Sequence, residues 1–304
     1  MIEKILVLGC SGQVGNELVR FICPGDFIII GLSHADADIT KKNDISNIIK
    51  NSGCSLVINA AAFTEVDIAE KKRNLAYKIN EKGTYNVGEA CRNAGIPLIH
   101  ISTDYVFDGN KKTGFIEDDL VNPLGAYGAS KNAGEFALRE VLKEHIILRT
   151  SWVYSSTGKN FVKTILRLGN EREEISVVDD QYGCPTSAHE IAQVIIEMAC
   201  QIIFNGKKDK WGTYHYCGDT KMTWYGFACE IFNVVSKLNG CSVPKIIPIT
   251  TNQYPTAARR PQNSVLSCLH IKQVYGIQQK PFIFNLSQVL KELVTIDSPE
   301  RRQN

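Results

Sequence analysis

Tyr127-Gly128-Ala129-Ser130-Lys131 carries the two side chains with the most chemical promise. On a helix, residues four apart share one face, with Cβ atoms roughly 5–6 Å apart. A free phenol, with a pKa of about 10, is a poor acid or base near neutrality. A fixed ammonium beside it favours the phenolate and lowers that pKa. Such a tyrosine could exchange a proton with a substrate oxygen. The same spacing also occurs on solvated helix faces, so the rest of the chain must decide between the two.

Proton exchange of this kind needs a platform, and the first half of the chain reads as one. A β-rich run over 4–8 ends in Gly9-Cys10-Ser11-Gly12-Gln13-Val14-Gly15, with a helix expected over 13–21. Strand, glycine turn and helix N-terminus make a phosphate cradle, here offered by Gly9, Ser11, Gly12, Gln13 and Val14. The spacing is Gly-x-x-Gly-x-x-Gly rather than Gly-x-Gly-x-x-Gly. A second strand over 26–32 ends in Leu32-Ser33-His34, where an NAD-preferring chain is expected to place a ribose-binding acid. No acid stands there to repel a 2′-phosphate, and no arginine to grip one. The cofactor reading is therefore NADPH or NADH, with NADP favoured. Asp38 and Ile39 follow, as a helix cap or as lining for the adenine.

A third strand over 55–59 runs into Ala60-Ala61-Ala62. Small residues there let a flat ligand approach the backbone, or simply let a helix pack closely. A broken helix over 65–94 contains Asn80. A fourth strand over 97–102 leads to Thr103-Asp104-Tyr105, and the carboxyl ends of parallel strands are where open α/β sheets place ligands. Strands alternating with helices predict an α/β fold, a doubly wound Rossmann-type parallel sheet covered on both faces.

Downstream, a strand-like run covers 148–153, and helices are expected over 160–168, 188–204, 227–237 and 284–293. Short strands are expected over 175–178, 213–217 and 245–249. Residues 206–211 read as a charged loop, and 298 onward as a polar tail. The expected division is a dinucleotide-binding domain of 1–150 plus about 187–217. A smaller, partly discontinuous substrate lobe takes about 151–186 plus 218–304. In that lobe Arg259 and Arg260 could fork onto phosphates.

The totals exclude several classes. The chain has 304 residues, 44% hydrophobic and 22% charged, with net charge +2. That length supports one large domain or two of ordinary size. Charges interleave without a basic stripe, which argues against nucleic acid. No apolar run approaches the ~18 residues of a membrane span. A cytoplasmic protein without a signal peptide is the expectation. The ten cysteines contain no Cys-x-x-Cys and read as reduced apolar filler. No metal site is assigned.

Taken in order, the motifs resemble the extended short-chain dehydrogenases/reductases and, within them, the dTDP-4-dehydrorhamnose reductase family. The phrases that carry the likeness begin with Gly12-Gln13-Val14-Gly15, Asn59-Ala60-Ala61-Ala62-Phe63-Thr64 and Ser102-Thr103-Asp104-Tyr105-Val106-Phe107. They continue with the tyrosine–lysine pentad and Arg149-Thr150-Ser151-Trp152-Val153-Tyr154. The last are Asp180-Gln181-Tyr182-Gly183-Cys184-Pro185-Thr186 and Tyr254-Pro255-Thr256-Ala257-Ala258-Arg259-Arg260-Pro261. The resemblance implies a catalytic set of Thr103, Tyr127 and Lys131, with Tyr127 and Lys131 also reaching the dinucleotide. It implies hydride transfer from reduced nicotinamide to the C4 ketone of a dTDP-sugar, protonated by Tyr127. It also implies an asparagine near Asn80, substrate contacts from Asp104, Tyr105 and Trp152, and a homodimer. Two alternatives stay open: reduction of another 4-keto nucleotide sugar, and a non-catalytic regulatory subunit like that of methionine adenosyltransferase.

Overall fold

The computed structural model describes residues 2–21, 27–204, 210–239 and 243–296. Strand β1 (Glu3–Leu8) shows why the sheet forms. Its side chains alternate, Ile5 and Val7 to one face and Leu6 and Leu8 to the other, and all four are buried. A strand apolar on both faces belongs inside a parallel sheet with helices on each side. Helix α1 (Gln13–Arg20), strand β2 (Phe27–Leu32), helix α2 (Lys42–Ser52) and strand β3 (Leu56–Asn59) follow. Then come α3 (Val66–Lys71), α4 (Arg73–Tyr77), a π-helical turn (Lys78–Gly83) and α5 (Thr84–Ala94). The stretch expected as one broken helix is thus four pieces, and the π turn holds Asn80.

Strand β4 (Leu98–Thr103) is followed by a 3-10 turn (Asp104–Val106), α6 (Ala126–Val141) and β5 (His145–Thr150). The strand expected over 148–153 instead stops at Thr150. Trp152 has φ +45°, alone among the described non-glycine residues in being positive, and that turns the chain out of the sheet. A two-residue β6 (Val153–Tyr154), α7 (Phe161–Glu171) and β7 (Glu174–Val178) come next. Then follow β8 (Tyr182–Gly183), β9 (Thr186–Ser187), α8 (Ala188–Ile203) and β10 (Gly212–His215). The chain closes with β11 (Met222–Thr223), α9 (Trp224–Asn239), β12 (Lys245–Ile249), α10 (Leu269–Tyr275) and α11 (Phe282–Ile296). The tiny strands β8, β9 and β11 and helix α10 are too short to show a period in the sequence. The charged loop at 206–211 lies mostly outside the described residues, and the polar tail from 298 lies wholly outside them.

The central sheet has the order β10-β5-β4-β3-β1-β2, with every neighbouring pair parallel. The chain therefore reverses direction across the sheet between β1 and β3. Such a switch point opens a crevice at the carboxyl edge. On one face α1, α8 and α10 share a core with Ile5, Val7, Ile58 and Ile146. On the other, α2, α5 and α6 pack on Leu6, Leu8, Val57 and Ile147. A separate core joins α7, α9 and α11 to β7, around Ile165, Ile175, Phe227, Ile231 and Leu286. There β12 pairs parallel with β7.

Candidate active site

The crevice is lined first by the turn after β1. Gly9 has φ +80°, and a Cβ there would lie 2.7 Å from Ala61 backbone atoms. Only glycine lets the ends of β1 and β3 meet this closely. Gly15 serves α1 in the same way, since its Cβ would be 2.2 Å from Gly9 O. Gly12 differs. The nearest atom to an added Cβ is 3.4 Å away, so the protein itself leaves that space open. Gly12 is the N-cap of α1 and offers no side chain to the first-turn N–H groups, and no acid lies in that turn. Free donors and open space fit a phosphate. Ser11 is exposed beside it, whereas Val14 is buried in the core. The Gln13 side chain is turned away. Its Oε1 accepts from Ser155 Oγ (2.9 Å) and Asn160 Nδ2 (3.0 Å), tying α1 to the loop before α7.

Three other positions expected at the cofactor have their side chains engaged by protein. Asp38 Oδ1 accepts from Thr40 N and Oγ1 at 2.9 and 2.8 Å. Ile39 is buried against Gly83. Asn80 donates to Phe63 O (3.1 Å) and Ser130 Oγ (2.9 Å), and its Oδ1 accepts from Phe63 N (2.8 Å). Asn80 thereby clamps α6 to the chain leaving β3, where half-buried Ala60, Ala61 and Ala62 form the floor of the crevice.

Each residue of the pentad has a local reason. Glu70 caps α6 by accepting from Ala126 N at 2.6 Å. Gly128 has no Cβ because Tyr105 O would lie 2.1 Å from it. Ser130 Oγ donates to Tyr127 O (2.8 Å) while accepting from Asn80. The result sets Tyr127 and Lys131 on the face of α6 that packs against the carboxyl end of β4, beside Thr103. Tyr105 meets Tyr127 edge-on, ring centroids 5.7 Å apart.

The electrostatics depart from the simplest expectation. Burial pushes the Tyr127 phenol up to about 12, and the Thr103 hydroxyl pulls against this. Lys131 does not lower it. Instead burial brings the Lys131 ammonium down to about 8, opposed by Glu135 one turn along α6. The lysine is 2% exposed and points into the sheet. Nζ donates to Ile101 O at 2.7 Å and lies 3.2 Å from His100 Nε2. Burial therefore outweighs the expected ammonium–phenolate attraction here. Tyr127 holds its proton at neutral pH, as a proton donor must.

Thr103 Oγ1 donates to Asp104 Oδ1 (3.0 Å) and accepts from Tyr105 N (3.2 Å). Asp104 is 2% exposed and burial pushes its carboxyl up to about 7. Its Oδ2 meets no hydrogen-bond partner among the described residues. Burial also pushes the Tyr105 phenol up. Trp152 stacks face to face on Trp224, centroids 3.4 Å apart and planes 4° apart, and packs on Gly183. Arg260 and Arg259 separate in role. Arg260 forks onto Asp67 of α3 at 2.7 and 3.1 Å. Arg259 is exposed and makes no ion pair among the described residues. Both line a cavity of 560 Å³ with Asp180, Gln181, Thr251 and Tyr254. That volume lies in the usual range of small-molecule sites.

Sequence reasoning missed Glu70 and assigned no role to Asn59 or His100. A histidine inside Leu98-Ile99-His100-Ile101 is the available signal, because a polar ring in a buried run must be bonded. Glu17 Oε2 pairs with His189 Nδ1 at 3.2 Å. No cluster of three metal-ligating side chains occurs among the described residues.

Switch-point crevice, glycine turn and the hydroxyl-rich edge of β4 together define an oxidoreductase of the short-chain dehydrogenase/reductase class. A UDP-glucose 4-epimerase from Brucella ovis, solved with NAD, has the same fold at 14% identity and a TM-score of 0.79. Residues 3–295 match the family described as RmlD substrate binding domain. The chain belongs to the dTDP-4-dehydrorhamnose reductase family. It is 41% identical to the dTDP-4-dehydrorhamnose reductase of Aggregatibacter actinomycetemcomitans, over 90% of this chain and 94% of that protein. The corresponding Escherichia coli K12 reductase is 37% identical over 96% of this chain and 98% of its own length. Among solved structures, the Bacillus anthracis dTDP-4-dehydrorhamnose reductase in complex with NADP superposes with a TM-score of 0.87 at 35% identity. It covers 96% of this chain and 100% of that one.

Proposed function

We propose that the protein reduces the C4 ketone of dTDP-4-dehydro-L-rhamnose to dTDP-L-rhamnose, using NADPH and accepting NADH. The observation that carries the reading is the meeting of Thr103 and protonated Tyr127 at the carboxyl edge of β4. Family membership names the sugar. The bound dinucleotide supplies the hydride. Everything else falls to the chain. The N-terminus of α1 and the turn at Gly9–Gly12 hold the pyrophosphate. Ala60, Ala61 and Ala62 let the dinucleotide lie against the backbone. Thr103, its hydroxyl turned from Asp104 Oδ1, donates to the carbonyl oxygen as negative charge gathers there, an interaction of the oxyanion-hole kind. Tyr127 then delivers its proton to that oxygen. Lys131 would orient the ribose once its Nζ turns from Ile101 O and His100 toward the crevice. Arg259 meets the substrate diphosphate, while Arg260 holds α3 against the substrate loop.

We take residues 1–150 and 187–217 as the dinucleotide-binding unit and the remainder as the substrate lobe. Eight unpaired cysteines among the described residues support a cytoplasmic protein. The homodimer rests on the resemblance alone. The test is oxidation of NADPH and of NADH with freshly generated dTDP-4-dehydro-L-rhamnose and with a UDP-linked ketosugar. Faster oxidation with the dTDP-sugar supports the reading. Preference for the UDP-sugar overturns the substrate, and tight dinucleotide binding with no turnover points to a regulatory subunit.

A further inference from the structure

Behind Lys131 runs a chain of hydrogen bonds whose direction is fixed at its far end. The Ala61 N–H donates to Asn59 Oδ1 at 3.1 Å. A backbone N–H can only donate, so the Asn59 amide keeps its oxygen toward Ala61 and its nitrogen toward His100. Asn59 Nδ2 lies 3.2 Å from His100 Nδ1. An amide nitrogen donates, so Nδ1 accepts and carries no proton. The imidazole is fully buried, and burial holds its pKa well below the usual histidine value. It is therefore neutral, and its one proton sits on Nε2. That N–H faces Lys131 Nζ at 3.2 Å. An ammonium has no lone pair, so with a charged lysine two donors would oppose each other. With a neutral amine every group in the chain is satisfied: Nζ accepts from His100 and donates to Ile101 O.

We propose that His100, oriented by Asn59, is a positioning residue that holds Lys131 as the neutral amine. The ammonium then forms when Nζ swings off the imidazole. Other charged groups near Lys131 do not decide the matter. Glu135, on the same helix, pulls toward the ammonium. Its carboxylate, though, is engaged by Arg149, Arg139 and Ser102. On β5, His145 is held below the usual histidine value by burial. Tyr127 and, beyond it, Asp104 face the crevice from α6 and the 3-10 turn. Burial of Nζ acts in the same direction as the hydrogen bond from His100, drawing the lysine down toward the neutral amine.

The inference touches turnover only through the proposed role of Lys131, and its test needs no substrate. Protein labelled with ¹⁵N in histidine and ¹³C in lysine Cε, free of dinucleotide, reports the His100 tautomer and the Lys131 titration directly. The expected wild-type result is an Nε2–H tautomer that persists from mildly acid to mildly alkaline pH. In Asn59→Asp a carboxylate accepts from Nδ1–H. The tautomer should reverse, and the Lys131 midpoint should rise by about one pH unit or more. A wild-type imidazolium or Nδ1–H tautomer overturns the proposal, as does reversal with an unmoved lysine. The wild-type spectrum decides even if Asn59→Asp does not fold. Loss of reductase activity alone bears on the function and leaves the tautomer result standing.

Discussion

Gly128 and Tyr105 meet so closely that one added methyl on Gly128 would sit 2.1 Å from the Tyr105 carbonyl oxygen. This contact seats α6 against the end of β4 and so sets Tyr127 beside Thr103. Gly128→Ala must push helix and turn apart. A shift of about 1 Å in reacting groups costs roughly 10²-fold in rate. The expected outcome is a kcat lowered by that order with NADPH affinity little changed, since the cradle at α1 is remote. Steady-state kinetics with isothermal binding checks it.

Asn80 secures the same helix from the other side. Asn80→Ala removes three hydrogen bonds and leaves partners at half-buried Phe63 and buried Ser130. An unsatisfied buried group costs about 1–3 kcal/mol. Denaturant melts should show a loss of that size, together with reduced turnover. Unchanged stability would show that water replaces the amide.

The two arginines should separate. Arg259→Ala is expected to raise the KM for the dTDP-sugar and leave the melting temperature unchanged, because Arg259 is exposed and unpaired with any described acid. Arg260→Ala breaks the fork onto Asp67. Its stability loss should shrink in an Asp67→Ala background, as a double-mutant cycle reads coupling between contacting partners.

Asp104 makes stability depend on pH. Burial raises its folded pKa to about 7, while an unfolded aspartate titrates near 3.9. Between those values the folded state binds more protons than the unfolded, so the contribution of Asp104 to stability falls as pH rises, then levels off above about 7. The difference between wild type and Asp104→Asn, followed by urea midpoint across that window, should carry this slope. A flat difference would place the carboxyl at its ordinary value.

Much of this was legible in the sequence, and what was not has identifiable causes. The alternation of strands over 4–8, 26–32, 55–59 and 97–102 with helices announces a parallel sheet covered on both faces, while the fifth strand, read over 148–153, lies three residues earlier at His145–Thr150. The glycine turn and the pentad announce its site. The break at Trp152 was invisible, because a left-handed tryptophan is held by stacking on Trp224 from a distant helix. The direction of Lys131 was invisible as well. Spacing puts it on the same face as Tyr127, but burial beneath the sheet turns its amine to Ile101 and His100. Gln13 reads as a cradle residue, yet its side chain answers to Ser155 and Asn160, far along the chain.

The most direct test of the account is single-turnover reduction of dTDP-4-dehydro-L-rhamnose by wild type and Tyr127→Phe, with NADPH binding measured on both. Losing a positioned proton donor costs about 10²-fold or more. The account predicts that loss in Tyr127→Phe with binding intact. Reduction at the wild-type rate by Tyr127→Phe would contradict it and move the proton to another group.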